Sequence, residues 1–404
     1  MCIPRLLIIS AKMRRVTTSM QNLGSTTTME IGKPASTNRL VSLDIFRGVV
    51  IAFMILVNDP GDGPSSYWPL KHSDWNGWTP TDLVFPFFVF IIGVAMAFSF
   101  RSRLDRGQSR SQLLKHVMWR GILLFAFGLL LNGLGVRYHL DHWRVYGVLQ
   151  RIAICYVITA ILELWGGWRA QLAVAIACLA GYWILMRYVS VPGFGVPTRD
   201  IPLLDPDRNL VAWLDRKLLM GHLYEGTRDP EGIISDIPAV ATSLLGLLTG
   251  KWLRTQRTPR IKTLGMIAVG AAALVIGKIM DVWFPINKKL WTSSYVVFTA
   301  GLALICLALC YWIIDVRKLR GPWTWPILVF GANAIAAYVF SETLAIALYS
   351  LSVRGKTLLE HIYNSIFAPL ASPANASLLY ALAYVAVCWV VMALLYRRHI
   401  FLKI

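Results

Sequence analysis

One polar segment contains the residues best suited to chemistry. It runs from Asn58 to Asp82, reads NDPGDGPSSYWPLKHSDWNGWTPTD, and holds a single histidine, His72. An imidazole can take or give a proton near neutral pH, and its neutral form can also attack an activated carbonyl. The segment therefore predicts proton transfer or acyl transfer at His72. The alternative reading is an ordinary exposed loop histidine.

Polar and aromatic residues around this histidine support a functional reading without proving it. The amide of Asn58 closes an apolar run, where a polar group is costly unless it is paired or functional, and such an amide can stabilise an oxyanion. Asp82 could simply cap the helix that follows it. The indoles of Trp68, Trp75 and Trp78 suit a membrane interface, and they also offer flat surfaces on which a sugar ring can stack.

Other polar residues fall within or beside apolar runs. Asp44 and Arg47 lie three residues apart on one helix face, so both an ion pair and a ligand contact remain open. Arg151, next to Gln150, could hold an anionic or carbonyl ligand or pair with an acid from another helix. Asn333 could contact a ligand or hydrogen-bond between helices.

Several common kinds of site are absent from the sequence. It has neither a GxxxxGK[ST] run nor a strand-anchored GxGxxG, and neither an HExxH nor a GxSxG motif. Five of the six cysteines lie inside apolar runs and make no framework, so we expect no disulfide and no metal site. The net charge of +19 is spread between apolar runs, which argues against a nucleic-acid partner.

These residues must be positioned by membrane helices. The chain has 404 residues, of which 56% are hydrophobic and 15% charged, and its mean hydropathy is +0.56, outside the range of a water-soluble domain. Its apolar residues form separate runs that are each long enough to cross a bilayer. The sequence predicts an all-α polytopic membrane protein with about ten transmembrane helices, near 42–58, 80–100, 114–133, 146–164, 169–189, 236–253, 262–284, 291–314, 325–349 and 376–396.

Basic residues between the runs predict the orientation. Lysine and arginine are retained on the cytoplasmic side during insertion. They cluster at 101–120, 251–262, 317–320 and 397–403, which all fall on one side if the N-terminus is inside. The prediction is N-in and C-in, in the lipid bilayer of a bacterial inner (plasma) membrane.

The same topology sets the domain organisation. Residues 1–38 are rich in Ser and Thr and predict a disordered cytoplasmic tail, and Met20 or Met29 could be the natural start. Residues 39–404 form the membrane domain. Its outer loops are 59–80 and the long, proline-rich 190–235, which predicts either a lid or a small ordered cap.

Several sequence blocks resemble one known family. SLDIFRG, MILVN and LKHSDWNGWTPTDLVFPFFVFIIGV are followed by VYGVLQRIAICYV, DPEGIISDIPAVATSLLG, INKKLWTSSYVVFTAG and ILVFGANAIAAYV. In this order they are similar to blocks of the heparan-alpha-glucosaminide N-acetyltransferase family, over about residues 40–396. This resemblance is far more specific than any one short motif.

The resemblance implies transfer of an acetyl group from cytosolic acetyl-CoA to the amine of a glucosamine unit across the membrane. His72 falls on the family's active-site histidine, and Asn58 on the asparagine that closes the first motif. His72 would act as general base or carry the acetyl group as an acyl-imidazole, and both routes remain open. Asn58 would hold the oxyanion, and Asp82 would orient the imidazole or bind the ammonium.

The remaining site residues are assigned on the same basis. We expect the donor, acetyl-CoA, to contact Arg47 and Asn333, and we expect no metal. The acceptor, an amino sugar or a glycan, is expected to contact Trp75, Asn76, Arg144, Gln150 and Arg151. We expect the protein to lack the large luminal domain that precedes these motifs in another member of the family. This favours a small amino sugar or a cell-envelope glycan over polymeric heparan.

Two other functions compete with this one. An O-acyltransferase acting on an envelope glycan would use similar chemistry on a hydroxyl. A solute transporter would also bury polar residues in a helix bundle, but the common repeat types have matched broken segments in two halves, and the segment from Asn58 to Asp82 has no partner in the second half. A homodimer is also expected as a possible assembly.

Overall fold

The computed structural model of the protein describes residues 40–136, 139–353 and 355–401, so the predicted tail lies outside the described residues. Nearly all regular structure there is helical, with one two-stranded ribbon, Ser352–Val353 and Lys356–Thr357. The helices are α1 (Val41–Asn58), α2 (Val84–Leu104), α3 (Arg110–Gly135), α4 (Val148–Trp165), α5 (Trp168–Tyr188), α6 (Leu210–Leu219), α7 (Asp236–Leu253), α8 (Pro259–Asp281), α9 (Ser293–Tyr311), α10 (Thr324–Ala332), α11 (Ala334–Ser350), α12 (Leu358–Ile362) and α13 (Pro373–Arg397).

All ten predicted spans are helical, and the fold class is confirmed. Among the described residues, eight helices are long and apolar enough to cross a membrane. The predicted ninth span is broken into α10 and α11, which are bent by 81° at Asn333 and together would make a ninth crossing. The predicted sixth span, α7, is a helix of 18 residues but falls short of the apolarity of the others.

Close glycine contacts hold α7 against α2 in the middle of the bundle. A Cβ added at Gly93 of α2 would lie 2.0 Å from the Ser243 carbonyl oxygen, and one at Gly246 of α7 would lie 2.0 Å from the Phe90 carbonyl oxygen. Only glycine allows backbones to approach this closely, as in other membrane helix pairs. By contrast, α5 and α8 expose many large apolar side chains at the periphery, where lipid would cover them.

The connections predicted to lie on one side of the membrane contact one another. On the predicted outside, the segment 58–82 contacts the α8–α9 connection through Lys288, and Arg144 before α4 pairs with Asp229 before α7. On the predicted inside, Lys251 in the last turn of α7 pairs with Glu163 at the end of α4. We call these two ends of the bundle the outer end and the inner end, after the predicted orientation.

The long outer segment 190–235 is a small ordered cap. It contains α6, whose N-cap Asn209 accepts a hydrogen bond from the backbone N–H of Ala212 at 2.9 Å. Leu204 and Val211 of the cap are buried in a separate apolar cluster with side chains from α5 and the α8–α9 connection. Apolar burial therefore fixes the cap over the outer end.

Candidate functional site at the outer end

The centre of the site is an ion-pair contact between His72 and Asp82. The Nδ1 atom of His72 lies 2.7 Å from Oδ1 of Asp82. The Asp82 side chain is fully buried, whereas the His72 side chain is 45% exposed. A buried carboxylate thus holds an imidazole whose other nitrogen, Nε2, faces away from it.

The local sequence explains why Asp82 is so well fixed. Thr79 and Asp82 form a capping box on the 3-10 turn Pro80–Leu83 that precedes α2. Oδ2 of Asp82 accepts hydrogen bonds from the backbone N–H groups of Ser73 and Thr79, each at 3.0 Å. The Tyr295 hydroxyl donates to the Asp82 carbonyl oxygen at 2.5 Å. Asp82 therefore caps the turn before α2 and also contacts the ring of His72.

A lysine that sequence reasoning did not select completes this cluster. Nζ of Lys288 lies 3.0 Å from Nδ1 and 3.2 Å from Nε2 of His72, and 3.7 Å from Oδ1 of Asp82. Burial lowers the pKa of Lys288, although the carboxylates of Asp82 and Glu231 act in the opposite direction. If His72 donates from Nδ1 to Asp82, its Nε2 carries the lone pair that can accept from Lys288.

Trp75 and Asn76 lie beside this cluster, in the same outer segment. The Trp75 indole donates to the Leu204 carbonyl oxygen at 2.8 Å, and the Arg228 guanidinium covers its ring at 5.1 Å. The exposed Asn76 accepts a hydrogen bond from Nδ2 of Asn287 at 3.2 Å. The segment is therefore tied both to the cap and to the loop that carries Lys288.

Arg144 organises an acidic part of the same end. It donates to both carboxylate oxygens of Asp229, at 2.8 and 2.5 Å, and also to Glu231. Burial opposes ionisation of Glu231, but the charges of Arg144, Arg151 and Lys288 hold the pKa of this carboxyl below its ordinary value. Glu231 thus links the two arginines electrostatically to the lysine beside His72.

Arg151 is fully buried and pairs with an acid from another helix, one of the two alternatives left open by the sequence. Its Nε donates to Asp236 of α7 at 2.8 Å, its Nη2 donates to Ser235, and its guanidinium lies 4.8 Å from the Trp291 ring. Its Nη1 and both amide atoms of buried Gln150 make no hydrogen bond within the described part of the chain. These atoms remain available to a ligand or to water.

The structure places Asn58 next to Glu342. The Asn58 amide hydrogen-bonds to the Glu342 carboxyl of α11. Burial raises the pKa of the adjacent Asp59 to about 8, and the Glu342 carboxylate adds to this shift. Asn58 shares the outer end with the histidine, but no hydrogen bond joins it to His72 or Asp82 among the described residues.

Arg47 and Asn333 lie near the inner end. Arg47 pairs with Asp44 at 3.3 Å and donates to the Gly331 carbonyl oxygen at 3.2 Å. Asn333, at the break between α10 and α11, donates to the Ile400 carbonyl oxygen at 3.1 Å. These two residues therefore form a group apart from the His72 cluster, which leaves their expected contact with the donor as a prediction.

Sequence reasoning missed Lys288, Asp229, Glu231 and Asp236. Each lies in a block that carries the family resemblance, the acids in DPEGIISD and the lysine in INKKLWTSS. The available signals were a run of acids just before one apolar helix and a pair of lysines just before another. Their mutual contacts join segments far apart in the chain and could not be read from spacing.

The fold and this site define the class of the protein. It is a polytopic all-helical membrane protein with a histidine at its outer end that contacts a buried carboxylate. The chain belongs to the heparan-alpha-glucosaminide N-acetyltransferase family, since residues 39–280 match the family described as "Heparan-alpha-glucosaminide N-acetyltransferase, catalytic".

Two curated relatives carry the family's name. The heparan-alpha-glucosaminide N-acetyltransferase of Mus musculus is 32% identical over 370 residues, which cover 77% of this chain and 54% of the relative. The Homo sapiens protein of the same name is 32% identical over 367 residues, covering 75% and 53%. The chain thus spans about half the length of the curated relatives it matches. His72, Asp82 and Arg151 lie inside the matched family region, whereas Lys288 and Asn333 lie beyond it.

Proposed function

We propose that this protein is a transmembrane acetyltransferase that moves the acetyl group of cytosolic acetyl-CoA to the amine of a glucosamine-type sugar at the outer face of the membrane. The observation that carries the proposal is the exposed imidazole of His72, held at 2.7 Å by the fully buried carboxylate of Asp82. The printed name of the curated relatives supplies the reaction class.

The His72–Asp82 pair supplies what acyl transfer to an amine requires. A sugar amine must give up a proton as its nitrogen attacks the thioester carbonyl and becomes an amide, and Nε2 of His72 is available to accept that proton. Asp82 fixes the ring through Nδ1 and stabilises the imidazolium that forms. The same Nε2 could instead attack the thioester first, giving an acyl-imidazole that the amine then opens.

Asn58 remains our proposed oxyanion donor. Its exposed side chain closes α1 at the outer end, and Glu342 beside it can orient the amide. A carbonyl oxygen placed between Asn58 and the imidazole would gain negative charge during attack, and the amide N–H groups could stabilise that charge. This role requires that the substrate bridge the two residues.

The acceptor is proposed to bind against the cap. Trp75 lies half-buried against the cap with the Arg228 guanidinium over its ring, and Asn76 is exposed beside it. Because Arg144 and Arg151 are paired with acids, we propose that they shape this surface by holding the acidic segment before α7. Gln150, whose amide has no hydrogen-bond partner among the described residues, would supply a direct polar contact.

The donor is proposed to enter from the inner end. The inner ends of α2, α7 and α13 carry basic residues that suit the phosphates of acetyl-CoA. Arg47 and the outer end of α1 are separated by about 16 Å along the helix axis, at about 1.5 Å per residue. The flexible pantetheine arm would have to cross this distance between α1 and its neighbours to bring the thioester to His72.

Release of free CoA by the purified protein tests the proposal. The protein in detergent receives acetyl-CoA with and without glucosamine, and His72→Ala is compared with His361→Ala, which removes an exposed histidine on α12. We expect wild type and His361→Ala to release CoA in repeated turnovers only with the amine, and His72→Ala to match the protein-free background. Release with a hydroxyl-bearing glycan but no amino sugar would replace N-acetyl by O-acetyl transfer. No release with any acceptor would contradict the proposal.

A further inference from the structure

Lys288 is placed to take part in proton transfer, although its neighbour Lys289 is not. Nζ of Lys288 lies within 3.2 Å of both ring nitrogens of His72. Lys289 turns the other way and pairs with Glu225 of the cap at 2.9 Å. The two lysines are adjacent in sequence, but only Lys288 reaches the histidine.

The loop that presents Lys288 is tightly built. Oδ1 of Asn287 accepts from the backbone N–H of Leu290 at 2.9 Å, and the Asn287 backbone N–H donates to the Thr292 hydroxyl at 3.0 Å. The buried Trp291 has a φ of 52°, in the left-handed region that bulky residues rarely adopt. Such a conformation persists only where the surroundings impose it, often at functional sites. The position of Lys288 is therefore fixed by its loop.

The electrostatic surroundings of Lys288 suit a proton donor. The titratable groups that act on it are Asp82, His72, Glu231 and Lys289. Burial and the charge of Lys289 favour the neutral amine, whereas the two carboxylates favour the ammonium. The pKa of Lys288 therefore lies below the ordinary lysine value, so the ammonium gives up its proton more readily than an exposed lysine would.

We propose that Lys288 is the general acid that protonates the sulfur of CoA as the thioester breaks, an inference that rests on the proposed function. The amine nitrogen forms its bond to the acetyl carbon, and the carbon–sulfur bond breaks. The proton of the amine goes to Nε2 of His72, and the proton of the Lys288 ammonium goes to the departing sulfur. The imidazolium then returns its proton to the neutral lysine across their 3.2 Å contact. The sum is amine plus thioester to amide plus thiol, with both side chains restored.

The acyl-imidazole route gives Lys288 the same task. The sulfur leaves in the first step and takes the lysine proton. The amine then attacks the acetyl carbon on His72 and passes its proton to the neutral lysine, which lies next to the ring. In both routes a second proton-transfer group adjoins the histidine, so the cycle needs no proton from the solvent.

Three lysine variants in the acetyl-CoA and glucosamine assay test this role. Lys288→Met removes the proton, Lys288→Arg keeps the charge on a group that does not release a proton, and Lys289→Met is the matched control. We expect Lys288→Met and Lys288→Arg each to lose about 100-fold in kcat, within the range of general acid catalysis, while their affinity for CoA stays near that of wild type. Lys289→Met should retain kcat within about threefold, since general acid catalysis is not removed.

Results that contradict the role of Lys288 differ from results that contradict the proposed function. Full activity of Lys288→Arg would mean that only a positive charge is needed, and full activity of Lys288→Met would mean that Lys288 has no catalytic role; either overturns the inference alone. No turnover by wild type overturns the proposed function and this inference with it. If the Lys288 variants do not fold, the pH profile of wild type decides. As the pH is raised, kcat of wild type should begin to fall before the pH reaches about 10.4, the ordinary pKa of lysine. A kcat that stays constant up to that pH contradicts the assignment.

Discussion

Replacing Asp82 by asparagine tests the proposed role of this carboxylate with little change in shape, because the two side chains are nearly isosteric. The Asp82 carboxylate accepts from the His72 ring at 2.7 Å and from two backbone N–H groups at 3.0 Å each. An asparagine side chain has one acceptor oxygen and an NH₂ group. It can keep the backbone contacts of the capping box or the contact with the ring, but not both, and it carries no charge.

The expected loss in rate follows from the bond that is removed. A hydrogen bond to a charged group contributes about 1.5–3 kcal/mol, and this one strengthens as the imidazolium forms. Since about 1.36 kcal/mol corresponds to a tenfold change in rate, kcat should fall by roughly 10- to 150-fold. KM should change little, because the fully buried Asp82 is not exposed to substrate.

The assay is steady-state CoA release with acetyl-CoA and glucosamine. Asp74→Asn is the matched control, since it removes an exposed carboxylate two residues after His72. Thermal unfolding in detergent checks that Asp82→Asn is folded. A folded Asp82→Asn protein with kcat within twofold of wild type would rule out this role for Asp82, and equal losses in both variants would show a general effect of charge.

Three further predictions concern stability, followed by thermal unfolding in detergent. Arg151→Met should cost about 3–5 kcal/mol because it leaves the partner carboxylate buried and unpaired, whereas Arg199→Met on an exposed side chain should cost almost nothing. Burial raises the pKa of Asp59 to about 8, so the folded state holds a proton that the unfolded chain releases; stability should fall between about pH 4 and 8, and Asp59→Asn should remove that fall. Gly246→Ala should prevent close packing of α7, while Gly181→Ala, which meets no atom within 4 Å, should be tolerated. Equal melting temperatures of Arg151→Met and Arg199→Met would contradict the first prediction, and equal melting temperatures of Gly246→Ala and Gly181→Ala would contradict the third. A wild-type melting temperature that does not fall between about pH 4 and 8 would contradict the second.

The sequence predicted the helices well because membrane insertion imposes a strong, local signal. Each predicted span needs a long apolar run, and each run is helical in the structure. The break at Asn333 was not predicted, since GANAIAAYV contains no proline and reads as one continuous apolar run. The marginal apolarity of α7 reflects its place against α2, where glycine packing replaces contact with lipid.

The site was predicted in part. The pairing of His72 with Asp82 follows from a short segment, so residue types and the family resemblance were enough to select both. The resemblance itself is confirmed by the family match over residues 39–280. The contacts of Lys288 and Glu231 depend on loops that meet only in the folded bundle, so they could not be predicted from sequence spacing.

Transfer of labelled acetyl groups across a membrane would distinguish a transmembrane acetyltransferase from a protein without this activity. Wild type and His72→Ala are reconstituted in proteoliposomes, with radiolabelled acetyl-CoA sealed on the side of the inner end and glucosamine added on the side of the outer end. We expect labelled N-acetylglucosamine on the outer side with wild type and none above background with His72→Ala. Equal labelling by the two proteins, or none by wild type, would contradict the proposed function.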